Sequence, residues 1–97
     1  MPAYMVAEVE FIPGPALDHY RALAGAAIAA HGGTFLVRGQ EKTVTEGEHR
    51  FRRVIIVAFP SLDAAERWYR SAEYAEALRA SGKAMHRTLY LVDGVPP

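Results

Sequence analysis

Six consecutive apolar residues, Val54 to Phe59, end at Pro60, and Ser61 then opens a stretch with helical spacing. A strand that is apolar at both parities must be covered on both faces, so this segment predicts a central strand with a layer on either side. Pro60 ends it, because the ring removes a donor that a further rung would need. Ser61 offers its hydroxyl to the orphan N–H groups of a helix, and Asp63 in the first turn suits the positive end of the dipole.

With 97 residues the chain is expected to form one domain around a thin core, since a fold of this size removes only roughly 60–65% of its unfolded surface from water. The 51% hydrophobic content is high for so small a unit and points to apolar surface covered by a second subunit. Lysine plus arginine balance aspartate plus glutamate at 11 each, so no net field draws the chain to nucleic acid or to an anionic membrane. Without cysteine there are no disulfides, zinc–thiolate sites or thiol nucleophiles, which fits a reducing compartment. The first residues lack a basic segment followed by a long apolar one, and no apolar run approaches roughly 18 residues, so a soluble cytoplasmic protein is expected.

Ala3 to Phe11 alternates Tyr4, Val6, Glu8 and Glu10 against Met5, Ala7, Val9 and Phe11, the period-two signature of a strand whose second set meets the helices. Pro13-Gly14-Pro15 breaks it. Leu17, Tyr20, Ala24, Ala27, Ile28 and His31 recur at helical spacing until Gly32-Gly33, where the first glycine suits the left-handed position after a helix. A second strand is expected over Thr34 to Arg38. Gly39 to Arg50 is then a long polar connection with a short extended piece at Thr43 to Thr45. After the central strand, Leu62, Ala65, Trp68, Tyr69 and Ala72 mark the inner side of a second helix. Ser71 starts a kinked continuation through Tyr74, Ala77 and Leu78 that stops at Gly82, and Arg87 to Asp93 is the last strand, followed by a short tail to Pro97.

The order β-α-β-β-α-β predicts an α+β, ferredoxin-like sandwich: a four-stranded antiparallel sheet with two helices on one face. Its other face stays bare, and the apolar residues of Val54 to Phe59, Tyr4 and Val6 do not belong in water. A two-fold homodimer through that sheet face, a dimeric α/β barrel, hides them at roughly 25 cal/mol per Å² of apolar area removed.

Tyr20, Gly32-Gly33, Arg38-Gly39, Glu46-Gly47, the V-I-I-V-A-F-P-S run from Val54 to Ser61, Ala65 with Trp68, and Y-R-S-A-E-Y from Tyr69 to Tyr74 together resemble the domain-of-unknown-function family 1330 of the dimeric α/β-barrel superfamily. The resemblance implies a ferredoxin-like protomer in a dimer, and no established reaction. Many members carry an arginine seven residues after the last tyrosine of that motif. Here the position is Ser81, with Arg79 and Lys83 nearby, so if that arginine anchors an anion in relatives, this chain lacks the anchor.

The candidate site joins Glu46 in the long hairpin, Arg38 at the end of the second strand, His31 at the helix end, and Tyr20, Trp68, Tyr69 and Tyr74. Aromatic walls with a few convergent polar groups are how small-molecule sites are usually made. Each member also has a plain structural role. His31 bonds the last helix carbonyls, Glu46 and Arg38 form an exposed pair worth about 0–1 kcal/mol, and Trp68 and Tyr69 pack in the core. The expectation is a homodimer that binds a small aromatic or acidic organic molecule in a cleft between helices and sheet. The alternatives are a cofactor-independent isomerase or monooxygenase, with Glu46 or His31 as acid or base and Arg38 holding an anion, and an interaction module without a ligand. No cofactor is expected, and no metal, because His19, His31, His49 and His86 lack ligand spacing. H-R-F-R-R at His49 to Arg53 has the local look of a nucleic-acid contact, yet neutral charge and a strand position favour a solvated edge.

Overall fold

A computed structural model, which describes residues 1–96, arranges the chain as β1 (Ala3–Phe11), α1 (Pro15–Ala30), β2 (Thr34–Glu41), β3 (Arg53–Phe59), α2 (Leu62–Tyr69), α3 (Ala72–Ala84) and β4 (Met85–Asp93). The four strands form one antiparallel sheet in the order β2-β3-β1-β4, the ferredoxin-like layout, with α1 and α3 packed side by side over one face. Pro97, the last residue of the expected tail, lies outside the described residues. Among those residues no helix is long and apolar enough to cross a membrane.

Alternation decides the faces. Ala3, Met5, Ala7 and Val9 are buried against the helices, while Tyr4, Val6, Glu8 and Glu10 take the opposite face. Met5 pairs with Val57 and Ala7 with Ile55, so the register places Ile55, Val57 and Phe59 on the helix side and Val54, Ile56 and Ala58 on the open side. The same pairing puts Arg87, Leu89 and Leu91 of β4 toward the helices and Tyr90 and Val92 outward. The two outward glutamates are matched by cations: Lys42 donates to Glu8, and the Arg52 guanidinium lies 3.7 Å from Glu10.

The helix ends follow from local chemistry. α1 starts on Pro15 and ends in a Schellman turn, with Gly33 N–H donating to Ile28 O at 2.9 Å and Gly32 N–H to Ala29 O at 3.1 Å. Gly32 has φ +79°, which a residue with a Cβ resists. Ser61 Oγ accepts from Ala64 N–H at 3.0 Å and Ser71 Oγ from Tyr74 N–H at 3.1 Å. The Ser71 hydroxyl also donates back to Trp68 O at 2.7 Å, so one side chain closes α2 and opens α3.

Several boundaries differ from those expected. The helix that was to stop at Gly82 runs on to Ala84, because Gly82 does not take the left-handed conformation that would end it, and Met85 N–H continues the ladder to Ser81 O. The last strand then begins at once, at Met85 instead of Arg87. The second strand extends to Glu41, where Lys42 N–H donates to Arg52 O at 3.0 Å, and no strand forms at Thr43 to Thr45. Tyr69 and Ala72, expected on the inner helix side, are exposed, Tyr69 because α2 buries the face of Ala64, Ala65 and Trp68, and Ala72 because a new helix begins there after Ser71.

Candidate functional site

Small residues leave a space over the sheet. Ala24 and Gly25 of α1 face Ala7 and Ile55, and a cavity of about 380 Å³ lies between that helix and the strands, walled by Met5, Ile28, Phe35 and Met85. Volumes of this order hold small organic molecules.

At one end of the cavity stands Arg38. A bulge brings it there and a second follows it: β2 inserts Leu36 opposite the Val57–Ile56 step and Gly39 opposite the Ile55–Val54 step. The first bulge puts Phe35 and Arg38, three residues apart, on the same helix-facing side, where the guanidinium carbon lies 4.1 Å from the Phe35 ring centroid. The second has Gly39 at φ +95°, and a Cβ there would come within 3.0 Å of the Phe11 ring. Arg21 stacks over the other face of this end, 4.8 Å from the Phe11 centroid. On the far side of Phe11 lies an open groove that Arg21 and Arg38 also line, with Glu10, Asp18, Arg52 and Arg53.

At the other end three polar side chains close on one another. Tyr20 Oη of α1 and Tyr74 Oη of α3 lie 2.7 Å apart, and the Arg87 guanidinium of β4 donates to Tyr20 at 2.7 Å and to Tyr74 at 3.1 Å. Tyr74 has no solvent exposure. Burial pushes its phenol well above the ordinary tyrosine range, and the Tyr20 oxygen beside it adds to the rise against the opposing pull of Arg87. Burial works against the Arg87 cation, but the two phenol oxygens outweigh it and the guanidinium is held still more firmly protonated. Among the described residues no carboxylate pairs with Arg87.

The charged residues lining the cavity are therefore Arg21, Arg38 and Arg87, with no aspartate or glutamate among the lining. An apolar chamber with cations at both ends suits an organic anion. The described residues hold no group of three or more histidine, aspartate or glutamate side chains able to bind a metal.

Of the residues singled out from sequence, the structure brings Tyr20 and Arg38 to the cavity, with Tyr74 directly behind Tyr20. The others lie elsewhere. Trp68 is fully buried between Phe59 and Tyr74, at ring separations of 5.4 and 4.3 Å, as part of the core. Tyr69 is 41% exposed and faces a separate, more open groove beside Leu89 and Leu91. His31 sits past the end of α1 with Nε2 3.6 Å from the Glu73 carboxylate, an ion-pair separation longer than a hydrogen bond. Glu73 itself is held below the usual carboxylate range by its own backbone N–H, then by the Ser71 hydroxyl and His31. Glu46 is exposed in the hairpin, and Arg38 stacks on Phe35 in place of pairing with it. Ser81 is tied to its helix through Leu78 O at 2.9 Å.

Arg87 and Arg21 escaped sequence reasoning. Arg87 had a signal: it shares parity with Leu89 and Leu91, so a strand that buries the leucines carries the arginine inward too. Arg21 had none, since it follows Tyr20 on a helix and its place over Phe11 depends on the end of β1.

Residues 2–95 match the model of a domain of unknown function, DUF1330. No curated protein matches the sequence. Among solved structures, a protein of unknown function from Rhodopseudomonas palustris superposes with a TM-score of 0.75 at 22% identity, over 99% of this chain and 84% of that one. SnoaB, a cofactor-independent oxygenase from Streptomyces nogalater, gives 0.66 at 16% identity over 99% and 95%. A protein of unknown function from Bacteroides fragilis, described as dimeric with a ferredoxin-like fold, gives 0.59 at 9% identity over 96% of each chain. At these identities the likeness is one of fold.

Proposed function

The chain belongs to the DUF1330 family, whose name carries no activity, and we propose from its own cavity that it binds a small organic anion with an apolar or aromatic body between α1 and the sheet. The carrying observation is the lining: apolar walls, three arginines and no acidic side chain. Naphthalene-2-carboxylate titrated into the ¹⁵N-labelled protein is expected to shift the amides of Ala24, Gly25 and Phe35 saturably, with naphthalene-2-carboxamide far weaker. Equal binding of the two removes the anion from the proposal. No shift with either leaves an interaction module without a ligand.

The proposal includes a homodimer through the open sheet face and a cytoplasmic location. Val6, Ile56, Tyr90 and Val92 form an apolar outer surface on which Tyr90 and Val92 are 46% and 45% exposed. Covering such a surface stabilises by roughly 25 cal/mol per Å². That the protein of the same fold from Bacteroides fragilis is described as dimeric supports a dimer.

A second reading places cofactor-independent chemistry in the same cavity. The description of SnoaB suggests it, and the Tyr20–Tyr74–Arg87 cluster gives the cavity a group able to hold negative charge on a ligand oxygen. Oxygen uptake with 1,4-dihydroxy-2-naphthoate, abolished in Tyr20→Phe, is the expected result, and uptake at the buffer rate in the unsubstituted protein rejects it.

A further inference from the structure

The proton count of the hydroxyl cluster fixes what the cavity presents to a ligand. Tyr74 Oη is enclosed and has two partners, Tyr20 Oη and the Arg87 guanidinium. A guanidinium only donates, so the one acceptor open to the Tyr74 hydroxyl proton is the Tyr20 oxygen. The opposite arrangement leaves a buried O–H without an acceptor, a loss that folded proteins avoid. Tyr20 Oη thus accepts from Tyr74 and from Arg87 Nη1, both at 2.7 Å. Its own proton is then directed away from both donors, and the cavity that Tyr20 lines is the space to which we assign it.

The cations divide in the same way. Arg87 spends a donor from each of two nitrogens on the phenols, whereas Arg21 and Arg38 stack on Phe11 and Phe35 and hold no carboxylate among the described residues. Arg38 reaches across from β2 to α1, where its Nη2 lies 4.0 Å from the place a Cβ on Gly25 would occupy. The cavity has a charge-binding end at Arg38 and Arg21, where neither guanidinium is engaged by a phenol, and at the other end, beside Arg87, the phenol proton of Tyr20.

We propose that the ligand is an aromatic or alicyclic carboxylate carrying a second, carbonyl-type oxygen at its far end, with the carboxylate at Arg38 and Arg21 and the carbonyl accepting the Tyr20 proton. This deepens the anion-binding proposal and rests on it. Tyr20 is the ligand-contacting donor, and Tyr74 is a positioning residue that acts by occupying the Tyr20 lone pair.

Two probes of closely matched shape separate the ends: 6-acetyl-naphthalene-2-carboxylate and 6-isopropenyl-naphthalene-2-carboxylate, titrated calorimetrically into the intact protein. The acetyl probe is expected to bind about tenfold more tightly, the order of one hydrogen bond to a buried acceptor, and its carbonyl stretch to move to lower frequency on binding. Tyr20→Phe is expected to equalise the two probes and abolish the frequency shift while both still bind. Tyr74→Phe removes as many hydroxyls from the cluster but keeps the Tyr20 proton, whose direction Arg87 alone then fixes, so the acetyl preference should shrink and yet persist. Equal affinities in the unsubstituted protein, or a preference that survives Tyr20→Phe, overturn the carbonyl assignment and leave the anion site standing. If neither carboxylate binds, the anion site and this inference fall together.

Discussion

Phe35 and Arg38 lie three residues apart on one strand and still share a face, the guanidinium resting 4.1 Å from the ring centroid. In a regular strand that separation puts two side chains on opposite sides of the sheet. The residue inserted between them turns Arg38 inward, over Ile55 and toward Gly25.

Arg38→Ala is therefore expected to weaken naphthalene-2-carboxylate about tenfold and to leave the carboxamide unchanged, while shifting stability by less than about 1 kcal/mol because the side chain is exposed. Calorimetric titration with parallel thermal melts checks both halves.

Tyr74 carries a phenol whose ionisation is opposed by burial in the folded state. A group whose folded pKa is raised adds stability that is complete below its unfolded pKa, about 10 for tyrosine, and that is lost as pH climbs toward the folded value. Stability should fall progressively above about pH 10, and Tyr74→Phe should flatten that limb. Urea midpoints collected from pH 8 to pH 11.5 measure the slope. An unchanged slope in the variant assigns the alkaline transition to another group.

Two glycines without left-handed geometry should respond in opposite directions. A Cβ at Gly33 would meet Ile28 Cγ2 at 2.6 Å and Phe59 Cε1 at 2.9 Å, so Gly33→Ala should destabilise by about 1–3 kcal/mol through overpacking. Gly82 lies inside α3 with nothing within 4 Å, and Gly82→Ala should stabilise by up to about 1 kcal/mol. Chemical denaturation of both variants gives the two signs.

Ile56 lies on the open face opposite Val6, at the middle of the surface proposed to be shared by two copies. Ile56→Glu is expected to convert a dimer of about twice 10.7 kDa into the 10.7 kDa monomer, by burying an unpaired carboxylate in the interface. Sedimentation velocity distinguishes the species. A monomer before substitution removes the proposed interface.

Features decided within a few residues were legible in the sequence. Ser61 and Ser71 cap the helices expected of them, Gly32-Gly33 ends α1, and the alternation of β1 assigns its two faces correctly. Gly82 shows the limit of that logic, because a glycine ends a helix through its dihedrals and not through its identity. The site was legible in part. Tyr20 and Tyr74 are 54 residues apart and meet because α1 and α3 pack together, which no local pattern records. The face of Arg38 depends on the bulge at Leu36, which exists only in the pairing with β3. Arg87 is written in the parity of β4, which it shares with Leu89 and Leu91.

α3 passes into β4 without a loop, Ala84 closing the helix and Met85 opening the strand. Tyr74 and Arg87 thus belong to one stiff arm, held additionally where Ile12 N–H donates to Ala84 O at 2.8 Å. A molecule that displaces the guanidinium meets no loop between strand and helix, so the movement is expected to reach the seam at Ser71. Hydrogen exchange at that seam becomes a remote gauge of whether the chamber is occupied.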